Sequence, residues 1–123
     1  WTVSSDRRWK MDIQESNLGL DFISKLNPVS YIRTTREDKK REYGFIAQQL
    51  EAALNTSGAA DNGMISKDDQ GMYGVRYNDL LSPLVKAVQE LNDQNKSQQQ
   101  LIDKQNLTIE NLLARIEALE NKQ

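Results

Sequence analysis

The 123-residue chain contains no cysteine and no histidine, has two prolines and six glycines, and draws only 7% of its residues from the aromatics. Each shortage closes a class of chemistry. Without cysteine there is no disulfide, and without cysteine or histidine there is no Cys/His zinc site. Without histidine, no serine nucleophile can be activated by an imidazole. No metal and no cofactor is expected. Lack of cysteine fits a reducing compartment. No apolar run reaches the roughly 18 residues that a bilayer span needs, and no signal-peptide core is present, so no membrane partner is expected. No glycine-rich phosphate loop occurs, which leaves no nucleotide signature.

The length suits one ordinary domain plus an appendage. Hydrophobic residues make up 37% and the mean hydropathy is -0.74, polar for a self-sufficient globule. Part of the burial is therefore expected to come from other copies of the chain. A net charge of -2 provides no global field for nucleic acid. Trp1 stands where an initiating methionine would, which suggests a piece of a longer polypeptide.

The C-terminal third carries the clearest pattern. Two interleaved series hold a seven-residue repeat, Leu81, Val88, Asn95, Ile102, Ile109 and Ile116 in one, Leu84, Leu91, Gln98, Gln105, Leu112 and Leu119 in the other. The opposite face is nearly all polar, so a coiled coil is expected rather than the inner face of a compact bundle. Ser82-Pro83 reads as the helix start, with Asn78 as the competing cap. Arg115 and Glu120 have the spacing of an interchain ion pair. Asn95, Gln98 and Gln105 soften the middle of the seam. Branched residues in one series with leucine in the other lean toward two strands on general rules.

The domain division expected is 1–77, a small α+β head, and 78–123, a long helix. Within the head, Asn17 reads as the cap of a short helix through Leu26, stopped by Asn27-Pro28. Residues 29–34 read as a strand, 35–42 as a charged turn and 43–47 as a second strand, followed by a helix over "QQLEAAL". "NTSGAADNGM" reads as a loop and "DDQGMYGVRY" as a turn into a further strand. Tyr31, Tyr43, Phe45, Tyr73 and Tyr77 are expected to pack in the core or an interface. Gly44 and Gly74 suggest close backbone approach.

Near the N-terminus, "SSDRRWKMDI" places Lys10 five residues after Ser5. With no histidine available, a lysine could serve a serine as base. At that spacing the two side chains lie about 140° apart on a helix and on opposite faces of a strand. They meet only if the chain turns between them, or if Lys10 comes from another copy. The plain alternative is that Ser5 caps a helix, Asp6 lies in its first turn and Lys10 is solvated.

Four stretches, "SDRRWKMDI", "LGLDFISKLNPVSYI", "YGFIAQQLEAAL" and "YGVRYNDLLSPLVKAVQELN", together resemble the C-terminal intramolecular chaperone domain of phage tailspikes, tail fibres and neck appendages, the peptidase S74 family. The resemblance implies a homotrimer that guides folding of the upstream fibre or spike segment of the same polypeptide and then cuts itself off. It implies Ser5 as nucleophile, Lys10 as general base and Ser5–Asp6 as the bond cut, with the bond before Ser5 left open. It implies action in the host cytoplasm during assembly and absence from the mature virion. A lysine base must lose its proton near neutral pH, a fall of roughly three units from about 10.4. Arg7 and Arg8 are candidates for that electrostatic push and Trp9 for apolar cover, within a trimer interface. A second reading is the same fold as a permanent, non-catalytic oligomerisation tip. A zipper-type DNA binder fails on geometry, because "RTTREDKKR" lies far upstream of the coiled coil. No nucleic-acid partner is expected.

Overall fold

The computed structural model describes residues 2–122. The elements run in the order of a 3₁₀ turn at Arg7–Trp9, helix α1 at Leu20–Ser24, strands β1 at Val29–Ile32 and β2 at Arg41–Gly44, and helix α2 at Ala47–Thr56. Strands β3 at Ile65–Lys67 and β4 at Tyr73–Val75, a second 3₁₀ turn at Tyr77–Leu80 and helix α3 at Leu81–Glu120 complete it. The fold class is α+β, with two separate antiparallel hairpins and one long helix.

Helix α2 organises the head. Leu50, Ala53 and Leu54 recur at the three- and four-residue spacing of one helical face, and all three are buried. They meet Phe22 from α1, Met64 from the loop before β3, and Leu80 from the second 3₁₀ turn. The helix ends in a Schellman closure: Ala59 N–H donates to Leu54 O at 2.9 Å and Gly58 N–H to Asn55 O at 3.4 Å. Gly58 sits there at φ +79°, a conformation other residues adopt at a cost. Six buried side chains make a small core.

Several local expectations need correction. Asn17 does not cap α1: Gly19 occupies that position without a side-chain bond, and the Asn17 amide donates to Gly58 O at 3.4 Å. Strand β2 begins two residues earlier than the apolar run suggests and ends at Gly44. Its charged start is held because Arg41 donates to Ser30 Oγ at 3.0 Å and Glu42 accepts from Arg33 at 3.0 Å. The segment before Tyr73 is a second hairpin, pairing Ile65 with Val75 and Lys67 with Tyr73. Asp68 ties its turn, accepting from Gln70 N–H at 2.8 Å and Met72 N–H at 2.9 Å. Helix α3 starts between the two expected caps. Pro83 then lies in its first turn, where a missing N–H costs little.

By compactness the chain divides into two units, residues 1–87 and 88–123. The second is helix alone to Glu120, with its apolar seam residues exposed. In the first, Tyr77 Oη accepts from Phe45 N–H at 3.2 Å and leaves no room over Gly44. A Cβ added at Gly44 would stand 2.7 Å from that oxygen and 3.3 Å from the Tyr31 hydroxyl. Gly74 is confined in the same way by Ser66 Oγ, 2.7 Å from where its Cβ would be. Tyr43, on the outer face of β2, is 82% exposed and packs in no core of this chain. Among the described residues no helix is long and apolar enough to cross a membrane.

Gly44→Ala should therefore displace the Tyr77 ring and break its bond to Phe45, lowering stability by about 1–2 kcal/mol in chemical denaturation. In a Tyr77→Phe background, where the hydroxyl is already gone, the same substitution should cost clearly less. Equal losses in both backgrounds would show that this contact is not the cause.

Candidate active site

The chain does turn between Ser5 and Lys10. Asp6 adopts an extended backbone and its carboxylate caps the 3₁₀ turn that follows, with Oδ1 accepting from Arg8 N–H at 2.8 Å. Trp9 N–H donates to Asp6 O at 3.1 Å, and Lys10 N–H to Arg7 O at 3.0 Å. One tight turn thus reverses the offset that a regular helix or strand would impose. Lys10 Nζ arrives 2.6 Å from Ser5 Oγ, donating to it within a single chain. That distance is within the reach a serine and its base require; for proton transfer the direction reverses, with Lys10 as the neutral amine accepting from the Ser5 hydroxyl.

Arg8 and Asp6 form a fork-like pair, with Nε to Oδ1 at 3.1 Å and an NH2 nitrogen to Oδ2 at 2.9 Å. The guanidinium holds the Asp6 carboxyl below its usual range, and the carboxylate in turn raises Arg8. Sequence reasoning placed Arg8 near the lysine as a positive neighbour and missed this pairing. The available signal was the Asp-x-Arg spacing beside a cap residue. Arg7 contributes its carbonyl oxygen to the turn.

The pair is open to water. Every described residue from Thr2 to Glu15 is exposed, and Trp9, the expected cover, is 83% exposed, with Met11 at 89%. Neutralising a lysine ammonium needs desolvation or positive neighbours. Within one chain the geometry of a dyad is present and its dry surroundings are not. The seam residues Val88, Leu91, Asn95, Gln98, Ile102, Gln105, Ile109, Leu112, Ile116 and Leu119 all lie on α3 beyond the head, and Leu84 belongs to the head. There Leu84 lines a small apolar groove of about 150 Å³ with Ile23, Leu26, Pro28, Phe45 and Leu80.

Residues 5–59 match the Peptidase_S74 family model, described as chaperone of endosialidase. Over this segment the chain is similar to Peptidase_S74. The match opens on Ser5 and takes in the 3₁₀ turn, both strands of the first hairpin, α1 and α2. The match of these residues to Peptidase_S74 supports an intramolecular chaperone role. No curated protein matches the chain.

The carboxyl of Asp6 is depressed in the folded chain, so its hold on the turn is complete above the ordinary value of 3.8 and is lost as pH falls through the lower folded value. A carbon-detected titration of the uncut Ser5→Ala chain should place the Asp6 midpoint below that of free aspartate. Arg8→Ala should bring it part of the way back, since the backbone N–H of residue 8 still donates. A midpoint indifferent to Arg8 would contradict the pairing.

Proposed function

We propose that this chain is an intramolecular chaperone that trimerises through helix α3, directs folding of the segment preceding it in the same polypeptide, and then releases itself by Ser/Lys self-cleavage at Ser5–Asp6. The observation that carries this reading is the 2.6 Å bond from Lys10 Nζ to Ser5 Oγ at the point where the family match begins. The setting is phage fibre or spike assembly in the host cytoplasm, with the domain lost from the finished particle.

The chemistry follows from the pair. Lys10, as the neutral amine, takes the Ser5 hydroxyl proton while Oγ attacks a carbonyl carbon. Collapse of the tetrahedral adduct expels the backbone amine, which receives that proton from Lys10. Water then hydrolyses the ester and restores Ser5. Attack by a serine on its own carbonyl would close a four-membered ring. Cutting Ser5–Asp6 therefore draws the hydroxyl from a neighbouring copy, and this links the cut to assembly. Attack on the carbonyl of Ser4 closes a five-membered ring within one chain and cuts before Ser5. The new N-terminus tells the two apart: Asp6 for the first, Ser5 for the second.

A trimer rather than a dimer is supported by the width of the apolar stripe on α3. Leu101 and Leu113 flank the two seam series and are exposed in the single chain, as Val85 is in the head. A helix that shares its seam with two neighbours covers more of its circumference than one facing a single partner. Asn95, Gln98 and Gln105 then make a clamp that holds for folding and loosens after the cut.

Expressed with about a hundred preceding residues, the chain should separate into two fragments on a denaturing gel. Ser5→Ala should leave one band, and Lys10→Ala should slow the split by about a hundredfold or more. If Ser5→Ala still splits, the self-cleavage reading fails; if neither form splits, the chain is a permanent oligomerisation tip. Gln98→Leu with Gln105→Leu should delay departure of the cut domain on a native gel, and unchanged departure would count against the clamp.

A further inference from the structure

A three-residue 3₁₀ turn is marginal in water, and this one has no buried side chain to anchor it. Its backbone supplies two hydrogen bonds, Trp9 to Asp6 and Lys10 to Arg7. Three more are accepted by the Asp6 side chain, two of them from the Arg8 side chain and one from its backbone. The Asp6 carboxylate receives the Arg8 backbone N–H at 2.8 Å, Nε at 3.1 Å and an NH2 nitrogen at 2.9 Å. Asp6 immediately follows Ser5, and the turn it caps delivers Lys10.

We propose that the Asp6–Arg8 pair is a positioning clip for self-cleavage, holding closed the turn that sets Lys10 Nζ against Ser5 Oγ. This rests on the Ser5/Lys10 reading given above. Neither residue touches the proton in flight, so both act through the turn. Arginine suits the task because its planar fork engages both carboxylate oxygens at once, which the point charge of a lysine cannot reproduce. The pairing also changes what Arg8 does to its surroundings. With a carboxylate against it, the guanidinium contributes little net positive field at the lysine. The push toward a neutral amine then falls to the water exclusion that assembly brings. The clip has the right place for a device that must be set before assembly, since all its bonds lie within one chain.

The test is the cleavage rate of the full chain carrying its preceding residues, followed across pH, with assembly checked by size exclusion. Arg8→Lys keeps the charge and removes the fork, and it should cut about tenfold more slowly while assembling normally. Replacing both members by a neutral couple, Asp6→Asn with Arg8→Gln, should lower the plateau rate by about tenfold or more and leave the midpoint of the pH profile unmoved. Cleavage by Arg8→Lys at the unsubstituted rate would overturn the clip. So would a neutral couple that shifts the midpoint while keeping the plateau, since the pair would then be tuning proton affinity. Ser5→Ala run alongside separates the two levels: if it still cuts, the Ser5/Lys10 reading falls, and if it is silent while the Arg8 variants cut normally, only the clip falls.

Discussion

Helix α3 carries an apolar stripe that a single chain leaves in water, and this is the constraint on which everything else rests. From Val88 to Leu119 seven large apolar seam residues lie about half exposed or more. On the proposed reading the covering surface comes from other copies of the chain. Each aliphatic side chain so covered contributes about 1.5–3 kcal/mol at most. On that reading a run of them drives association even with amides at three layers. The head has a core cluster of six buried residues, a small one for a self-sufficient globule.

The candidate site divides its requirements along the same line. Geometry is supplied locally: one capped turn, closed by a carboxylate and a guanidinium, brings a lysine to a serine within one chain. Solvent exclusion is not supplied locally, because nothing in the described chain covers that turn. On the proposed reading such a site stays silent until something covers it. On the reading proposed here, the covering event is the meeting of copies along the long helix, so folding precedes cutting. The exposed apolar residues beside the dyad, Trp9, Met11 and Ile13, offer the surface through which water could be excluded.

Much of the fold was legible because it follows strong periodicities. The long helix announced itself through an unbroken heptad, and α2 through Leu50, Ala53 and Leu54. The first hairpin was visible in "VSYIRT", whose Val29 and Tyr31 face inward beside Gly44 and Glu42. The close approach at Gly44 was also readable, though its cause, Tyr77 from a distant turn, was not. What escaped depended on side-chain bonds that periodicity does not carry. Strand β3 has one partly buried apolar residue, Ile65, and is positioned by Asn62, whose side-chain oxygen accepts from Met64 and Ile65. Strand β2 starts on Arg41 and Glu42 because a hydrogen bond to Ser30 holds the first and ion pairs with Arg33 and Arg36 hold the second. Asn17 looked like a cap and proved to be a strut to the α2 C-terminus. At the site, a five-residue spacing belongs to neither helix nor strand, and only the Asp6 cap makes it a contact.

Sedimentation equilibrium of the uncut Ser5→Ala chain at micromolar concentration addresses the central claim most directly, because it measures assembly without the cut that follows. A mass near three times the 14.1 kDa of one chain is expected. The mass of one chain, or of two, would contradict the link between the long helix and the site.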